Sequence, residues 1–242
     1  MKANEIRLID CIIVRPGLNL RELVRQSEIP QTTVHRTLRS LCREKLLLRR
    51  EDRYYLGPVL LRWINMVGGA DRYVAVIRPY LRELAQVTGE TVHLVQRDGL
   101  EAVYIDKVEG RGPISLKSKI GSKLQLYCTG AGRALLTLFT AAELQEYWHC
   151  VERVATTPHS QTDAEVLEQQ IAVFRRQGYA VEVEQDQASI QCLGAAIDLG
   201  RVQLALSITT TILCDSQEFL QFAGFLREIV ERIRAEFQLA GA

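Results

Sequence analysis

No apolar run in this sequence approaches the ~20 residues that a bilayer-spanning helix needs, so a membrane span is not expected. The first residues, MKANEIRLIDCII, carry acids inside their apolar run and no small-residue cleavage site. That argues against a signal peptide and for a cytoplasmic protein. The six cysteines (Cys11, Cys42, Cys128, Cys150, Cys192, Cys214) include no CxxC pair. A disulfide framework or a zinc ribbon is therefore not expected, and most of the thiols read as small buried hydrophobes. His93, His149 and His159 have no ligand-like spacing, and no Ser-His-Asp, Cys-His or metal motif is discernible. There is no G-x-G-x-x-G, no phosphate-binding G-x-x-x-x-G-K-[ST], no internal repeat and no low-complexity tract. These absences point away from an enzyme, and no cofactor is expected.

The 242 residues, 47% hydrophobic and 24% charged, suit a soluble globular protein of two domains or one large one. Their net charge of +1 hides an asymmetry. Residues 1–57 hold 12 basic against 7 acidic side chains, a surplus of 5. The remaining 185 residues hold 18 against 22, a deficit of 4. A basic module on a mildly acidic larger one fits a protein with one part on nucleic acid.

The basic part centres on residues 18–57, LNLRELVRQSEIPQTTVHRTLRSLCREKLLLRREDRYYLG. Asn19 and Glu22 have capping-box spacing, and Leu20, Leu23 and Val24 form an apolar stripe. Pro30 sits where a second helix can begin. In that helix Val34, Leu38 and Leu41 share one face, leaving Gln31, Thr32, Thr33, His35, Arg36 and Arg39 on the other. Short hydroxyl, amide and guanidinium side chains at a helix start suit the major groove of duplex DNA. Leu46–Arg50 and Arg53–Leu56 read as paired strands, with Arg49, Arg50 and Arg53 at their tip near a phosphate or the minor groove. An ordinary small helical bundle with a solvated basic face fits this stretch equally well. A preceding helix over 3–14, with Ile6, Leu8, Ile9, Ile12 and Ile13 apolar, completes a winged helix-turn-helix over 1–57.

A linker helix follows over 58–72, opened by Pro58 and broken at Gly68-Gly69, with Trp63 free to pack on its own chain or on a second copy. Residues 73–242 then form the second domain. A helix over 73–88 has Val76, Ile77, Leu81, Leu84 and Val87 inward. Strands around the Asp98-Gly99 hairpin turn come next, then a third strand over 112–119 with Lys117, Lys119 and Lys123 about its end. Thr129-Gly130-Ala131-Gly132 opens a further helix. Bare backbone there is either close packing or an anion site. Helices over 141–149 and 163–177 precede strands over 179–185, 191–200 and 202–211, with Gly200-Arg201 at the last turn. A closing helix over 216–237 has Phe219, Phe222, Phe225, Leu226, Ile229, Ile233 and Phe237 inward. The order predicts an α+β domain with an antiparallel sheet.

The segments IPQTTVHRTLRSL, YYLGPVLL, ELAQVTGETVHL, VYIDKVEG, IGSKLQLYCTGAGRALL, QGYAVEVEQDQASIQCLGAAI and LALSIT, in this order, resemble the IclR family of bacterial transcriptional regulators over nearly the whole chain. The resemblance implies a winged helix-turn-helix, a linker helix and a GAF-like effector domain. It implies a homodimer or homotetramer that represses, or in some cases activates, catabolic genes from double-stranded operator DNA. It also implies a small carboxylate or sugar-acid effector. By the family pattern the amides of Gly130 and Ala131 hold a carboxylate, and Glu182 is an acidic pocket position. Cys192 is the pocket cysteine and Ile190 an apolar wall. Ser207 and Thr209 are hydroxyls on one face of the last strand, at i and i+2. The chain departs from the pattern at Ser189 (usually glycine), at Tyr127-Cys128 (often His-Ala) and at Arg133 (often lysine). Alternatives are a small-molecule enzyme, a redox or metal sensor built on the second domain, with Cys192 as its thiol, and an architectural DNA binder without a ligand.

Overall fold

The computed structural model describes residues 2–66, 69–111, 118–200 and 202–240. It divides into two compact units, Met1–Arg72 and Tyr73–Ala242.

In the first unit α1 (Ala3–Val14), α2 (Leu20–Ser27) and α3 (Gln31–Arg43) pack around Leu8, Ile12, Leu23, Val34, Leu38 and Leu41. The capping box is made: Asn19 Oδ1 accepts from Glu22 N at 3.0 Å, and Glu22 Oε2 accepts from Asn19 N at 2.9 Å. Satisfying these orphan amides starts α2 at the residue where its apolar stripe begins. Glu28, at φ 55°, ends it in the left-handed region, and Pro30 is the N-cap of α3. The wing strands β2 (Leu47–Arg50) and β3 (Arg53–Leu56) pair with Arg50 opposite Arg53. A two-residue strand, β1 (Leu18–Asn19), joins β3 on its other side, which the sequence pattern did not show. Ile6 and Ile13, expected inward, are exposed; Leu8, Ile9 and Ile12 carry the buried face of α1. α4 (Pro58–Met66) follows, with Trp63 exposed.

α5 (Gly69–Thr88) starts earlier than expected, with Pro79 inside it. The break expected at Gly68-Gly69 is therefore not seen at Gly69, and Gly68 lies outside the described residues. The sheet of the second unit has six strands, all antiparallel, in the order β6-β5-β4-β9-β8-β7. These are β4 (Thr91–Asp98), β5 (Glu101–Val108), β6 (Lys123–Gln125), β7 (Ala180–Val183), β8 (Ile190–Asp198) and β9 (Gln203–Thr211). Most of the expected third strand, 112–117, including Lys117, lies outside the described residues, as does Arg201. Ser118 and Lys119 are not in a strand, and β6 is the element that pairs with β5.

Alternation along β8 and β9 sends large residues one way and small ones the other. Leu193, Ile197, Leu204, Leu206 and Ile208 pack with Ile77, Leu81 and Leu84 of α5 and with α9 (Ser216–Ala240). On α9 Phe219, Phe222, Leu226, Ile229 and Ile233 are buried, whereas Phe225 is exposed. Val87 of α5 is also exposed, and Ala85 is buried in the same helix instead. The opposite face carries Ala196 and Ala205. It packs against α6 (Gly130–Leu136) and α8 (Ala164–Gln177), and Tyr147 of α7 (Ala141–Cys150) joins the same core. Small side chains there let α6 approach the sheet closely and leave volume beside it.

Candidate functional site

The outward face of α3 exposes Gln31, Thr32, His35, Arg36 and Arg39, with Thr33 half-buried. Among the described residues none of these six side chains makes a hydrogen bond or ion pair; Arg43, one turn beyond Arg39, meets Glu44 at 3.1 Å. The helix therefore presents a row of polar groups whose donors and acceptors are unspent. The wing arginines differ from one another. Arg49 Nε donates to Glu51 O at 2.8 Å, and the Arg50 guanidinium lies 5.6 Å from the Tyr55 ring centroid. Arg53 Nη1 donates to Gly17 O at 2.7 Å, so its guanidinium ties the wing to the turn after α1.

In the second unit α6 meets β8 backbone to backbone. A Cβ on Gly194 would lie 2.2 Å from Gly130 O, and one on Gly130 would lie 2.7 Å from Cys192 Cβ. Both glycines are thus required by packing. Thr129 Oγ1 accepts from Gly132 N at 3.1 Å as the N-cap of α6. The amides of Gly130 and Ala131 meet no acceptor among the described residues, as the first turn of a helix leaves them. They border a cavity of about 330 Å³.

All seven expected pocket residues line this cavity: Gly130, Ala131, Glu182, Ile190, Cys192, Ser207 and Thr209. They come from α6, β7, β8 and β9, far apart in the chain. Sheet register brings them together, with Glu182 opposite Cys192, Cys192 opposite Thr209, and Ser207 opposite His93. His93, Tyr104, Ser118 and Asp186 line it as well and were not expected. The signal for His93 was its place on the same sheet face as Ser207, legible only once β4 and β9 are known to be neighbours.

Burial holds the His93 imidazole neutral, its pKa lowered to about 3, with the Lys107 charge acting the same way. Its Nε2 is 2.8 Å from Ser118 Oγ, and its Nδ1 is 3.4 Å from Thr209 Oγ1. Cys192 Sγ lies 3.3 Å from Thr209 Oγ1, and burial raises this thiol well above its ordinary range. Burial, followed by the nearby Asp186, pushes Cys128 up to about 12. Both thiols stay protonated at neutral pH, the reverse of what a nucleophilic or redox-active cysteine needs. Among the described residues no group of three or more His, Cys, Asp or Glu can hold a metal ion.

Glu182 is the buried acid among the three, with Glu101 and Asp186, that line the cavity. Burial raises its pKa to about 7, while the amides of Gln185 (2.5 Å) and Asp186 (3.4 Å) bond to Oε1 and pull the other way. Behind it Arg133 is 1% exposed. Its Nε donates to Tyr127 O at 2.6 Å, its Nη1 to Gln170 Oε1 at 3.2 Å and its Nη2 to Gln185 Oε1. Burial lowers its pKa to about 10, so it remains a cation. Gln185 thus links the buried cation to Glu182 through one residue. The following turn includes Ser189 at φ 65°, which explains why glycine suits that position.

These facts set a pH dependence. A carboxyl raised from the ordinary 4.5 to about 7 by folding contributes full stability below pH 4.5 and loses it as pH rises through 7. Glu182→Gln removes that loss. Urea unfolding at pH 5 should find the variant close to the parent, and at pH 8 it should find the variant more stable by about 2–3 kcal/mol. Equal differences at both pH values would show that Glu182 does not titrate in this range. The contribution of His93 cancels in the comparison.

Comparison with known proteins places the chain in a family. The model of the bacterial transcriptional regulator IclR C-terminal region matches residues 72–235, and that of the IclR helix-turn-helix domain matches residues 6–51. The HTH-type transcriptional regulator KipR of Bacillus subtilis (strain 168) is 30% identical over 203 residues, spanning 84% of this chain and 81% of KipR. The crystal structure of Thermotoga maritima IclR superposes with a TM-score of 0.78 at 29% identity, covering 96% of each chain. An IclR homolog from Microbacterium hydrocarbonoxydans, solved in complex with 4-hydroxybenzoate, superposes at 0.82 and 20% identity over 98% of each chain, a likeness of fold. Among the described residues no helix is long and apolar enough to cross a membrane. With a helix-turn-helix in its first unit and an α+β domain with an antiparallel sheet in its second, this chain belongs to the IclR family of bacterial transcriptional regulators.

Proposed function

We propose that the chain is a cytoplasmic, sequence-specific repressor of a catabolic operon, and that a small organic or sugar acid in the 330 Å³ cavity sets its affinity for the operator. The observation that carries this reading is the convergence of Gly130, Ala131, Ser207 and Thr209 on one cavity also bordered by Glu182. Unspent amides at the start of α6 and two hydroxyls suit a carboxylate, and Glu182 accepts from a ligand hydroxyl. Residues 1–57 serve as the DNA-binding domain, 58–72 as the linker and 73–242 as the effector domain. The sign of control follows the family resemblance. The chain works as a homodimer or homotetramer, and Trp63, 42% exposed on α4, supports a second copy there.

On DNA, Gln31, Thr32, Thr33, His35, Arg36 and Arg39 face the major groove, with Arg49, Arg50 and Arg53 on the wing. Arg36→Ala should weaken operator binding by ~1–3 kcal/mol if its guanidinium forks onto a base. The check is an anisotropy titration at matched salt, on a duplex selected by the protein from random sequences. Unchanged affinity would remove Arg36 from the interface.

The ligand is sought by thermal shift with small organic and sugar acids. A specific acid at 100 times its Kd should stabilise the protein by ~2.7 kcal/mol. Ser207→Ala should need more acid for the same shift; the same midpoint would take Ser207 out of the site. The protein should leave the acid chemically unchanged after incubation. Turnover would replace the regulator reading with an enzymatic one.

A further inference from the structure

A second cavity, of about 260 Å³, lies in the Tyr73–Ala242 unit where the last turn of α8 meets the far half of α6 and one face of α9. Four guanidiniums line it, those of Arg175, Arg176, Arg227 and Arg234, against one described acid, Glu231. Two of them are fixed. Arg175 donates from Nε to Thr137 O and from Nη2 to Phe139 O, both at 2.8 Å, which caps the turn after α6. Arg234 bonds Glu231 through Nη1 at 2.5 Å and donates from Nη2 to Ala196 O at 2.7 Å. Arg176 and Arg227 make no hydrogen bond or ion pair among the described residues. Gly178, at φ 83°, ends α8 beside Arg227, whose Nε would sit in ordinary van der Waals contact, 3.4 Å, with a Cβ placed there.

Like charges gathered around one concavity raise the potential there and favour an anion, even where water screens exposed guanidiniums in part. Glu231 offsets Arg234, which leaves the charges of Arg175, Arg176 and Arg227. A carboxylate monoanion would offset one of these. A phosphate monoester carries close to two negative charges at pH 7 and presents three acceptor oxygens, which planar guanidinium forks match in geometry. The volume is below the usual ~300–1,000 Å³ of ligand pockets, so the bound molecule is small. We propose that this cavity is a second ligand site, separate from the carboxylate cavity, that takes a small phosphate monoester through Arg176 and Arg227, with Arg175 as a fixed wall.

Calorimetric titration of the full chain with glycerol phosphate, at constant ionic strength set with sodium chloride, tests this. Saturable one-to-one binding is expected, weakened by about tenfold or more in the double variant Arg176→Gln, Arg227→Gln. Both side chains are exposed, so that variant should keep the parent melting curve. Ser207→Ala, in the other cavity, should bind glycerol phosphate as the parent does. Inorganic phosphate should compete, and sulfate should do so less well. The proposal falls if association is unsaturable or equal in the double variant. It also falls if a polyglutamate peptide or a random duplex binds these arginines while glycerol phosphate does not.

Discussion

Arg133→Ala should cost the second unit about 3–5 kcal/mol, since a hydrogen bond made by a charged group contributes about 1.5–3 kcal/mol and this buried guanidinium makes three. One buried acceptor, Tyr127 O, and two half-buried ones, Gln170 Oε1 and Gln185 Oε1, would lose the guanidinium that serves them. An unserved buried acceptor costs about 1–3 kcal/mol. Glu182 would also lose the cation that favours its ionised form, so its proton should be held to higher pH. Arg133→Lys keeps the charge without the fork and should lose less, about 1–2 kcal/mol. Urea unfolding followed by Trp148 fluorescence, in a Trp63→Phe background, isolates this domain. A loss below about 1 kcal/mol in Arg133→Ala would mean that the buried guanidinium is not holding the Glu184–Ser189 turn.

Gly194→Ala should be nearly as damaging, at about 3 kcal/mol, the upper end for overpacking. The added methyl would lie 2.2 Å from Gly130 O, 2.5 Å from Gly130 C and 2.9 Å from Ala131 N. All three are backbone atoms, so no side-chain rotation relieves the clash and α6 must move off β8. The Gly130-Ala131 edge of the cavity moves with it, and acid binding should fall by about 100-fold, given how closely such amides must meet a ligand. Gly224→Ala is the control. It lies in α9 with nothing within 4 Å of the added carbon, and it should stabilise by up to about 1 kcal/mol through helix propensity. If Gly194→Ala behaves like Gly224→Ala, the close packing of α6 on β8 is wrong.

Much of this architecture is legible in the residues. The Asn19–Glu22 box, the Val34–Leu38–Leu41 stripe and the Asp98-Gly99 turn are local signals, and the elements begin and end where they point. The misses are non-local. β1 and β6 have two and three residues, too few for any period, and exist because β3 and β5 offer an edge to pair with. Ile13, Val87 and Phe225 fit the apolar period of their helices, yet each faces solvent in its own unit because no element covers that flank. The cavity divides in the same way. Ser207 and Thr209 share a face by alternation alone, and the family resemblance supplied Gly130, Glu182 and Cys192. His93, Tyr104 and Asp186 escaped because strand register and a loop pinned by Gln185 bring them in.

The most direct test of the whole account is the affinity for the selected duplex as the stabilising acid is titrated, at fixed salt. Coupling between distinct sites is typically ~1–3 kcal/mol. Saturating acid should therefore change operator affinity by about 5-fold or more, with the midpoint moved to higher concentration in Ser207→Ala. Operator affinity that stays constant while the acid demonstrably occupies the cavity would contradict the account, leaving a DNA-binding protein whose second unit does not control its first.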